Sequence, residues 1–528
     1  MSALPAELPD DIEALKALVR QQEHRIERDS AHIEDLRQRV DALQGQIRIL
    51  LDHRFGRASE RIALEDASQA GLFDEAEQIL ETADEESENE GVEVKGHRRR
   101  PKRAPLPDHL PRIDIEHDLP DSEKVCPHDG SALVRIGQET SEQLDIVPAK
   151  VQVLRHIRHK YACPCCDQSI RLAPRPQTLL PKSQASAGML AYLVTSKFVD
   201  GLPLYRLENM LGRVAIDVPR QTLAGWMIAT GQRIEPLIDR LNQKLLASAV
   251  IQMDETTVQV LKEPGRSPES KSYMWVRTAG DEQGTPIRLF DYAPSRSGQV
   301  PMALLEGFAG TLHTDGYDGY DAVARTNELK RAYCWAHARR HFVNALKAMG
   351  ISIKHLPAKP LPKAKRLLKA IRFIQQLYGI EAKAREMSAA DRAHLRQTEA
   401  VPILKDLRDW MQELVPKVLP SSGLGKALAY LNEHWDGLTV YVKDGDIAMD
   451  TNRTENSIRP FVLGRKAWLF AASVAGAKSS AALYSLVETA KANGHEPYAY
   501  LREVFERLPS ADTDAEIDAL LPWNLARA

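Results

Sequence analysis

Residues 249–261, AVIQMDETTVQVL, form a run of β-branched and aliphatic side chains that two adjacent acids, Asp254 and Glu255, interrupt. Val, Ile and Thr are enriched in strands, so the run predicts a β-strand. Two further β-rich runs follow, SYMWVRTAG (272–280) and PIRLFDYAP (286–294), and polar or Gly/Pro turns separate them. We therefore predict that three consecutive strands open an α/β domain here.

The pattern changes after the third run. We predict a helix in SGQVPMALLEGF (297–308), a fourth strand in GTLHTDGY (310–317) and a fifth in ELKRAYCWAHARRHF (328–342). Strands that come first and then alternate with helices indicate a mixed sheet. Residues 342 to about 435 are rich in Ala, Leu, Lys and Arg and are predicted to be almost wholly helical, and the chain ends in a helical tail.

Acidic residues lie at two of the predicted strands. Side chains alternate along a strand, so Asp254 and Glu255 should lie on opposite faces, and one of them should leave the apolar side. Asp315 ends the fourth strand, and Gly316 after it permits a close backbone approach. A carboxylate at the rim of a sheet is costly to desolvate unless a cation or a hydrogen-bond donor meets it. Two such carboxylates on neighbouring strands would suit a hard divalent cation such as Mg²⁺.

A third acidic position lies in residues 450–456, DTNRTEN. Asp450 and Asn452 are suited to a helix start, which would place Glu455 in the first helical turn. Taken singly, each of these acids is more often a helix cap or a surface charge than a metal ligand. Their combined placement is what favours a metal site.

The composition is that of a folded protein with three or four domains. The chain has 528 residues, 43% of them hydrophobic and 27% charged, which excludes a disordered or fibrous chain as a whole. No apolar run approaches a membrane span, and the N-terminus lacks the pattern of a secretory signal. Five cysteines are no disulfide framework for this length. We therefore expect a reducing interior and no membrane partner.

An N-terminal heptad pattern predicts a coiled coil. Every a position carries a β-branched residue, namely Ile12, Val19, Ile26, Ile33, Val40 and Ile47. The d positions are Leu15, Gln22, Asp29, Leu36, Leu43 and Leu50. This combination favours a parallel two-stranded coil, and thus a homodimer or higher oligomer, although the two polar d residues weaken the seam. An amphipathic helix packed on its own domain is the alternative.

A reversal of charge follows the heptads. Residues 74–93 hold ten acidic and no basic residues, whereas residues 95–103 (KGHRRRPKR) hold six basic and no acidic ones. So steep an alternation indicates a linker, with Arg98, Arg99 and Arg100 as candidate phosphate contacts. A solvated hinge is the simpler alternative. The net charge of −3 alone says nothing about a nucleic-acid partner.

The stretch LPLYRLENMLGRVAIDVPRQTLAGWMIATGQRI (202–234) is typical of a helix-turn-helix. We predict one helix that ends near Gly212, a short turn, and a second helix that begins near Pro219 with Pro at the first helical position. The second helix would be the recognition helix and Arg220 a DNA contact. Any pair of packed helices gives a similar pattern.

Together these motifs resemble a bacterial DDE transposase of the insertion-sequence family numbered sixty-six. The matching pieces are MDET around Asp254, HTDGYDGY around Asp315, YCWAHARRHF around Cys334 and DTNRTENSIRPFVLGRKAWLF around Glu455. Elsewhere, FGRASERI, SEQLDIVPAKVQVLRHIRHKYACPCC and NGHEPYAYLREVFERLP resemble the family's zipper, zinc-binding and C-terminal segments. The resemblance runs nearly from end to end.

The resemblance implies a ribonuclease-H-like catalytic domain with a helical insertion before the helix that carries the third acid. It implies that Asp254, Asp315 and Glu455, spaced by 61 and 140 residues, form the catalytic, metal-binding triad. Two Mg²⁺ ions, for which Mn²⁺ can substitute, would lie about 3.5–4 Å apart and act on the attacking and leaving oxygens. Substituting the neighbours Glu255 or Asp318 is expected to be far milder.

Other residues flank these motifs. Cys334 and His337 resemble the Cys-x-x-His signature of several such transposases and, like Asn452, are expected to support the active site by orienting DNA or holding the fold. A buried cysteine and a satisfied histidine are the alternative. Candidate phosphate contacts, with ordinary solvated bases as the alternative, are Arg339, Arg340, Arg459, Arg465 and Lys466.

The cysteine cluster is an incomplete zinc pattern. Cys163 and Cys166 are spaced to bind a tetrahedral ion, but where the family has Cys-Pro-x-Cys-Gly this chain has Cys126 followed by Asp129 in the second cysteine's place, beside His128. One structural Zn²⁺, held through Asp129 or His128, and a metal-free knuckle both remain compatible with it. The strand before the second pair offers basic residues to a DNA backbone, namely Arg155, Arg158 and Lys160.

We therefore predict a multidomain α+β chain. Its segments are a coiled coil (10–53), a charged linker (54–110), a zinc-finger-like DNA-binding module (111–182), a helix-turn-helix-like region (183–246), a ribonuclease-H-like catalytic domain (247–343 and 436–490), its helical insertion (344–435) and a C-terminal helical element (491–528).

The function that the resemblance implies is DNA transposition. The protein would bind terminal inverted repeats, cleave a strand with divalent metal and transfer the 3′-hydroxyl to target DNA, in the bacterial cytoplasm and on the nucleoid. Companion insertion-sequence proteins are candidate partners. A non-catalytic DNA-binding derivative is one alternative, although all three acids are present, and a metal-dependent nuclease without joining activity is another.

Overall fold

The computed structural model describes residues 151–162, 170–281, 284–351 and 362–527, with isolated residues between 11 and 143. The chain divides into two compact units, residues 88–157 and the remainder. In the smaller unit, the described stretch 151–157 contains neither helix nor strand. The arginines 98–100 and the zinc candidates Cys126, Asp129, Cys163 and Cys166 lie outside the described residues.

The larger unit contains the sheet and most of the helices. Its strands are β1 (Lys160–Ala162), β2 (Ile170–Leu172), β3 (Val250–Lys262), β4 (Lys271–Ala279), β5 (Ile287–Ala293), β6 (Thr311–Thr314), β7 (Lys330–Tyr333) and β8 (Ala471–Ser473). The helices before the insertion are α1 (Ala187–Phe198), α2 (Leu204–Gly212), α3 (Arg220–Arg233), α4 (Glu235–Leu246), α5 (Gln299–Leu304) and α6 (Asp321–Thr326). The remaining helices are α7 (Trp335–Ala348), α8 (Pro362–Lys383), α9 (Ala389–Leu395), α10 (Val401–Leu414), α11 (Gly423–Glu433), α12 (Trp435–Leu438), α13 (Asn452–Trp468), α14 (Val474–Ala492), α15 (Pro497–Arg507) and α16 (Asp514–Asp518).

The central sheet has the strand order β5-β4-β3-β6-β7, and β8 pairs with the end of β3. β3, β4 and β5 pair antiparallel, whereas β6 runs parallel to β3 and β7 runs parallel to β6. The five predicted strands are therefore confirmed as members of a mixed sheet. The predicted short helix between the third and the fourth of them is also confirmed. β3 lies in the middle because its buried Val and Ile side chains are covered on both faces.

Helix α14 protects the outer edge of β5. Ser485 Oγ accepts a hydrogen bond from the N–H of Phe290 at 2.7 Å, and Thr489 Oγ1 accepts one from the N–H of Arg288 at 3.0 Å. Both hydroxyls also donate to the carbonyl of the same strand residue. The backbone groups that an edge strand leaves unpaired are thus satisfied by side chains one helical turn apart.

The segment between β7 and α13 builds a hydrophobic core of its own. Trp335, Phe342 and Met411 are completely buried there, among aliphatic side chains of α8, α10 and α11. Arg396, which is 1% exposed, pairs with Glu381 and donates to three backbone carbonyls. The predicted helical character of residues 342 to about 435 is confirmed over the part that the structure describes.

The helix pair α2 and α3 matches the predicted helix-turn-helix closely. The first helix ends at Gly212, as predicted, but Pro219 is the N-cap residue of α3 and not its first helical residue. A left-handed residue, Ala215 with φ 59°, turns the chain between them. The far end of α3 packs closely on α14, since a Cβ on Gly231 would lie 2.8 Å from Ser479 Cα, whereas Arg220 and Gln221 at its start are exposed.

No helix among the described residues combines the length and the apolar character that crossing a membrane requires.

Candidate active site

Asp254 lies in the middle of β3, opposite Val276 of β4. Its side chain is half-buried, and its Oδ1 accepts the N–H of Glu255 at 2.8 Å. Burial raises the pKa of the Asp254 carboxyl well above its usual range, and the negative charges of Glu255, Asp315 and Glu455 raise it further. Asp254 is therefore the carboxylate that most needs a cation nearby.

Asp315 follows β6 directly. β3 and β6 are parallel neighbours with Gln252 opposite His313, so Asp254 and Asp315 each lie two residues beyond that pair at the same rim. Asp315 Oδ1 accepts the N–H of Tyr317 at 3.0 Å, which holds the carboxylate across the turn.

Gly316 confirms the predicted close approach. A Cβ at this position would lie 2.6 Å from His434 Nε2 and 2.8 Å from Tyr430 Cε2. Both aromatic residues belong to the C-terminal end of α11 and the residue after it. The helical insertion therefore packs directly against the turn that follows Asp315.

Glu455 lies in the first turn of α13, as predicted, and is 2% exposed. The preceding residue fixes this end of the helix to the sheet, because Thr454 Oγ1 donates to the side chain of Gln252 at 2.9 Å and lies 2.7 Å from Thr278 Oγ1. The charge of Glu455 contributes to the raised pKa of Asp254. Three separate elements, β3, the end of β6 and α13, thus bring three carboxylates together.

Cys334 and His337 support the helix that carries Glu455. Cys334 Sγ accepts the N–H of Thr451 at 3.3 Å, immediately before α13, and His337 Nδ1 lies 3.6 Å from Glu455 Oε1. The ligand atoms of Cys334, His337 and Glu455 all lie within 4.8 Å of one another. Cys334 is completely buried, so of the two expected roles the geometry favours support of the fold over contact with DNA.

A residue that the sequence analysis missed holds the start of α13 from the insertion. Tyr378 of α8 donates its hydroxyl proton to Asp450 Oδ2 at 2.8 Å. Asp450 also accepts the backbone and side-chain N–H groups of Asn452, at 3.1 and 2.9 Å. Nothing local in the sequence pointed to Tyr378, because it lies 72 residues from its acceptor.

Glu255 is the second feature that the sequence analysis misjudged. Its side chain is 2% exposed, pairs with Arg296 and accepts the hydroxyl proton of Tyr320. Asp254 is therefore the acid that leaves the apolar side, as alternation requires, and Glu255 is the buried one. Removing one partner of a buried ion pair is strongly destabilising, so we now expect a substitution of Glu255 to lower stability, and the milder effect on cleavage stays a prediction.

The basic residues proposed for DNA differ in their surroundings. Arg465 is 8% exposed, and its guanidinium donates to Thr256 and Thr257 of β3, so it ties α13 to the sheet and is poorly placed for phosphate. Lys466 is exposed. Arg158 donates to the Ala173 carbonyl at 2.7 Å while remaining partly exposed. Other proposed contacts are exposed or half-buried, namely Arg155, Lys160, Arg220, Arg339, Arg340 and Arg459.

The three carboxylates fit a hard divalent cation. They supply only oxygen ligands, the kind that Mg²⁺ prefers. Burial and the repulsion between these carboxylates raise the pKa of Asp254. A bound cation would offset that repulsion and favour the ionised carboxylates. The neighbouring sulfur and imidazole of Cys334 and His337 suit softer metals and so are poor ligands for Mg²⁺.

Comparison with known proteins assigns the chain to a family. Residues 182–479 match the model described as Transposase IS66 family. Residues 123–167 match the zinc-finger binding domain of transposase IS66, and residues 485–523 match the IS66 C-terminal element. Residues 42–115 match the model described as Transposase C of IS166 homeodomain.

Two proteins of Sinorhizobium fredii are similar to this chain over almost its full length. Uncharacterized protein y4jD is 32% identical over 99% of this chain and 98% of its own length. Uncharacterized protein y4qI is 31% identical over 98% of both. With the acids at one rim of the sheet and family matches from the zipper to the C-terminal element, the chain belongs to the IS66 family of DDE transposases.

Proposed function

We propose that the protein binds the ends of its mobile element, cleaves a strand there and joins the freed 3′-hydroxyl to target DNA. The observation that carries this proposal is the convergence of Asp254, Asp315 and Glu455 from three separate elements. Placing carboxylates close enough to repel one another costs folding free energy. Phosphodiester chemistry with divalent cations requires such a cluster, because the carboxylates hold the cations.

The proposed catalytic domain is ribonuclease-H-like and comprises residues 247–343 and 436–490, with residues 344–435 as the insertion. Three antiparallel strands followed by two parallel ones, in the order β5-β4-β3-β6-β7, support this assignment. A separate hydrophobic core, whose buried members run from Ala332 to Met449, supports a helical insertion between β7 and α13.

The acids would hold two Mg²⁺ ions, which when bound activate the attacking oxygen and stabilise the leaving one. Asp315 is held across its turn by the Tyr317 N–H, and Glu455 is held by the hydrogen bonds that fix the start of α13. Burial raises the pKa of the Cys334 thiol to about 12 and keeps it protonated, so it is a poor nucleophile. Attack by water, and then by the 3′-hydroxyl, needs no covalent protein intermediate.

DNA binding is proposed to use the zinc-finger region and the exposed start of α3. Arg220 and Gln221 are exposed there, and a Cβ on Gly225 would meet no atom within 4 Å, so the face is open to a groove or a backbone. Substituting Arg220 with Gln should weaken binding of end DNA and lower its salt dependence, measured by fluorescence anisotropy. An unchanged salt dependence would remove α3 from the interface.

The N-terminal heptads are proposed to form a parallel homodimer. The described a residues Ile12, Val19, Ile26 and Val40 are between 51% and 68% exposed in the single chain, which leaves an apolar stripe for a second copy. Lys at Ile26 and Val40 should convert the full chain to monomer in sedimentation velocity. A dimer that survives this pair would place the contact elsewhere.

The incomplete cysteine pattern is proposed to hold one structural Zn²⁺ through Cys126, Cys163, Cys166 and either Asp129 or His128. The match of residues 123–167 to a zinc-finger domain supports it. Metal analysis of the purified protein should give about one zinc per chain. Protein that folds and binds DNA without zinc would support the metal-free knuckle.

One experiment separates the proposed function from its alternatives. Purified protein is incubated with Mg²⁺ and end-labelled duplexes of the DNA that flanks the gene, with Asp254→Asn and an EDTA sample as controls. We expect joined products that require both Mg²⁺ and Asp254. Cleaved but unjoined DNA would indicate a nuclease, and retention without cleavage would indicate a DNA-binding protein. We propose that these reactions take place on the bacterial nucleoid, in the cytoplasm.

A further inference from the structure

Glu255 lies beside Asp254 in β3 but serves a different partner. Its buried carboxylate receives Nε of Arg296 and the hydroxyl of Tyr320, a tyrosine that is completely buried. The Glu255 carboxylate, which the buried Tyr320 hydroxyl holds in place, therefore fixes the Nε side of the Arg296 guanidinium.

Arg296 is fixed on two further sides by Tyr317. The guanidinium lies over the Tyr317 ring, with 3.8 Å between its central carbon and the ring centroid. The Tyr317 hydroxyl donates to the Arg296 carbonyl at 2.6 Å. Contacts of this kind hold the plane of the guanidinium at a set orientation and reduce the entropy that it loses when it binds a ligand.

The outward side of the same guanidinium is open. The Arg296 side chain is 42% exposed, although its ion-pair partner is 2% exposed. A guanidinium has five N–H donors, and the hydrogen bond from Nε to Glu255 uses one of them.

The position of this group is beside the acids. Tyr317, which carries the guanidinium on its ring, donates its N–H to Asp315 Oδ1. The charges of Glu255 and Asp315 both act on Arg296, and a guanidinium stays charged in proteins. Balancing the charge of Glu255 alone does not call for a cation whose side chain is 42% exposed.

We propose that Arg296 is a phosphate-binding residue that holds the DNA backbone next to the scissile phosphate. The planar pair of Nη groups matches two oxygens of one phosphate. Glu255 and Tyr317 act as positioning residues, because each contacts the guanidinium of Arg296. The inference depends on the proposed function only in requiring that DNA reaches the acidic rim.

The test is a binding measurement that needs no chemistry. The inactive Asp254→Asn chain is bound, with Ca²⁺, to duplexes of the gene-flanking DNA in which single phosphates near the expected cleavage point are replaced by neutral methylphosphonates. At one position the replacement should weaken binding roughly tenfold, because a charge-assisted hydrogen-bonded pair is lost. With Arg296→Gln added, that replacement should change affinity by less than about twofold, and the salt slope should fall by about 0.9.

Two further variants keep the test decisive. Arg240→Gln is the control, because Arg240 binds Asp518 and Asp514 and contacts none of the groups at the rim, so its methylphosphonate profile should match that of the parent chain. Tyr317→Leu removes the stacking surface but leaves the Arg296–Glu255 pair, and should reduce sensitivity at the same phosphate about threefold. It replaces Arg296→Gln if that variant does not fold.

An unchanged profile in the folded Arg296→Gln and Tyr317→Leu chains would overturn the inference. So would an equal loss at every phosphate, which would indicate a general change of charge. Failure of the native chain to join strands would count against the proposed function alone, because the phosphate profile is obtained without catalysis.

Discussion

The sheet and the helical insertion contribute differently to the candidate active site. The sheet and the start of α13 bring three carboxylates to one rim, where burial and repulsion raise the pKa of Asp254. The insertion has its own apolar core, yet the polar groups it directs at the rest of the chain, Tyr378 and His434, meet the two segments that carry Asp315 and Glu455. The charge of the site therefore comes from the sheet and α13, whereas the insertion contacts the segments that position two of the acids.

The largest effect should come from substituting the carboxylates themselves. Glu455→Gln keeps size and hydrogen-bonding capacity but removes one negative charge from the cation site, so cleavage should fall by roughly a thousandfold or more. Folding and DNA binding should persist, as they should in Asp254→Asn and Asp315→Asn. The measurement is cleavage of pre-bound end DNA at saturating Mg²⁺.

Asp318→Asn is the matched control for these substitutions. Asp318 is exposed at the start of a short 3-10 turn and should stay within about twofold of the native rate. A Glu455→Gln chain with native activity would remove the third acid, whereas an equal defect in Asp318→Asn would show only that the region is sensitive.

The second effect tests whether the insertion sets the position of Asp315. Gly316→Ala would place a Cβ 2.6 Å from His434 Nε2, so the turn or the end of α11 must shift. A displacement near 1 Å at a reacting centre costs on the order of a hundredfold in rate, and we expect a loss of that size in cleavage at saturating DNA.

Gly379→Ala is the control for this change. A Cβ at Gly379, in α8 of the same insertion, would meet nothing within 4 Å, and Ala is favoured over Gly inside a helix by about 1 kcal/mol. It should melt slightly higher and cleave normally. If Gly316→Ala cleaves as well as Gly379→Ala, the packing of α11 does not position the acid.

The third effect tests the hydrogen bond between the insertion and α13. Tyr378→Phe leaves Asp450 with one donor fewer, which should lower the free energy of unfolding by about 1–3 kcal/mol. Because α13 carries Glu455, cleavage should also fall, by roughly tenfold, through kcat and not KM. Urea unfolding and single-turnover cleavage measure the two parts.

Tyr441→Phe provides the comparison within the same core. Tyr441 is 2% exposed, and among the described residues its hydroxyl has no hydrogen-bond partner. Removing that hydroxyl should be neutral or slightly stabilising. Equal losses of stability and cleavage in the two variants would mean that the insertion contributes through its overall packing and not through the hydrogen bond to Asp450.

The smallest effect separates two adjacent basic residues of α13. Lys466→Gln removes an exposed charge, so DNA affinity should fall a few-fold and the salt slope should drop by about 0.9. Arg465→Gln removes a buried tie to β3, so stability should fall while the salt slope stays constant. A fall in slope for Arg465→Gln would show that it reaches DNA after all.

The sequence predicted what depends on local pattern. The five strands of the mixed sheet follow from alternation and β-branched content, and Glu455 lies in the first turn of α13 because the residues before it suit a helix start. The close approach at Gly316 was predictable because a glycine that directly follows a strand-ending acid marks a backbone that needs room.

What the sequence could not predict depends on distant partners. Tyr378 meets Asp450, and Arg296 meets Glu255, across separations of 72 and 41 residues, and no local pattern encodes such a pairing. Arg465 looked like its neighbour Lys466 in a basic stretch, but helical geometry turns it towards the sheet. The sequence shows which residues these are, but only the folded structure shows which neighbours each side chain contacts.

Helices cover parts of both edges of the central sheet, which restricts where a further strand could be added. Ser485 and Thr489 occupy the backbone groups of β5, and at β7 Gly437 approaches so closely that a Cβ would lie 3.1 Å from the Arg331 carbonyl. At these residues of β5 and β7, a strand from another copy would meet a helix and not free backbone. Copies of the chain that assembled would therefore have to meet through helices, loops or DNA rather than by extending this sheet at those points.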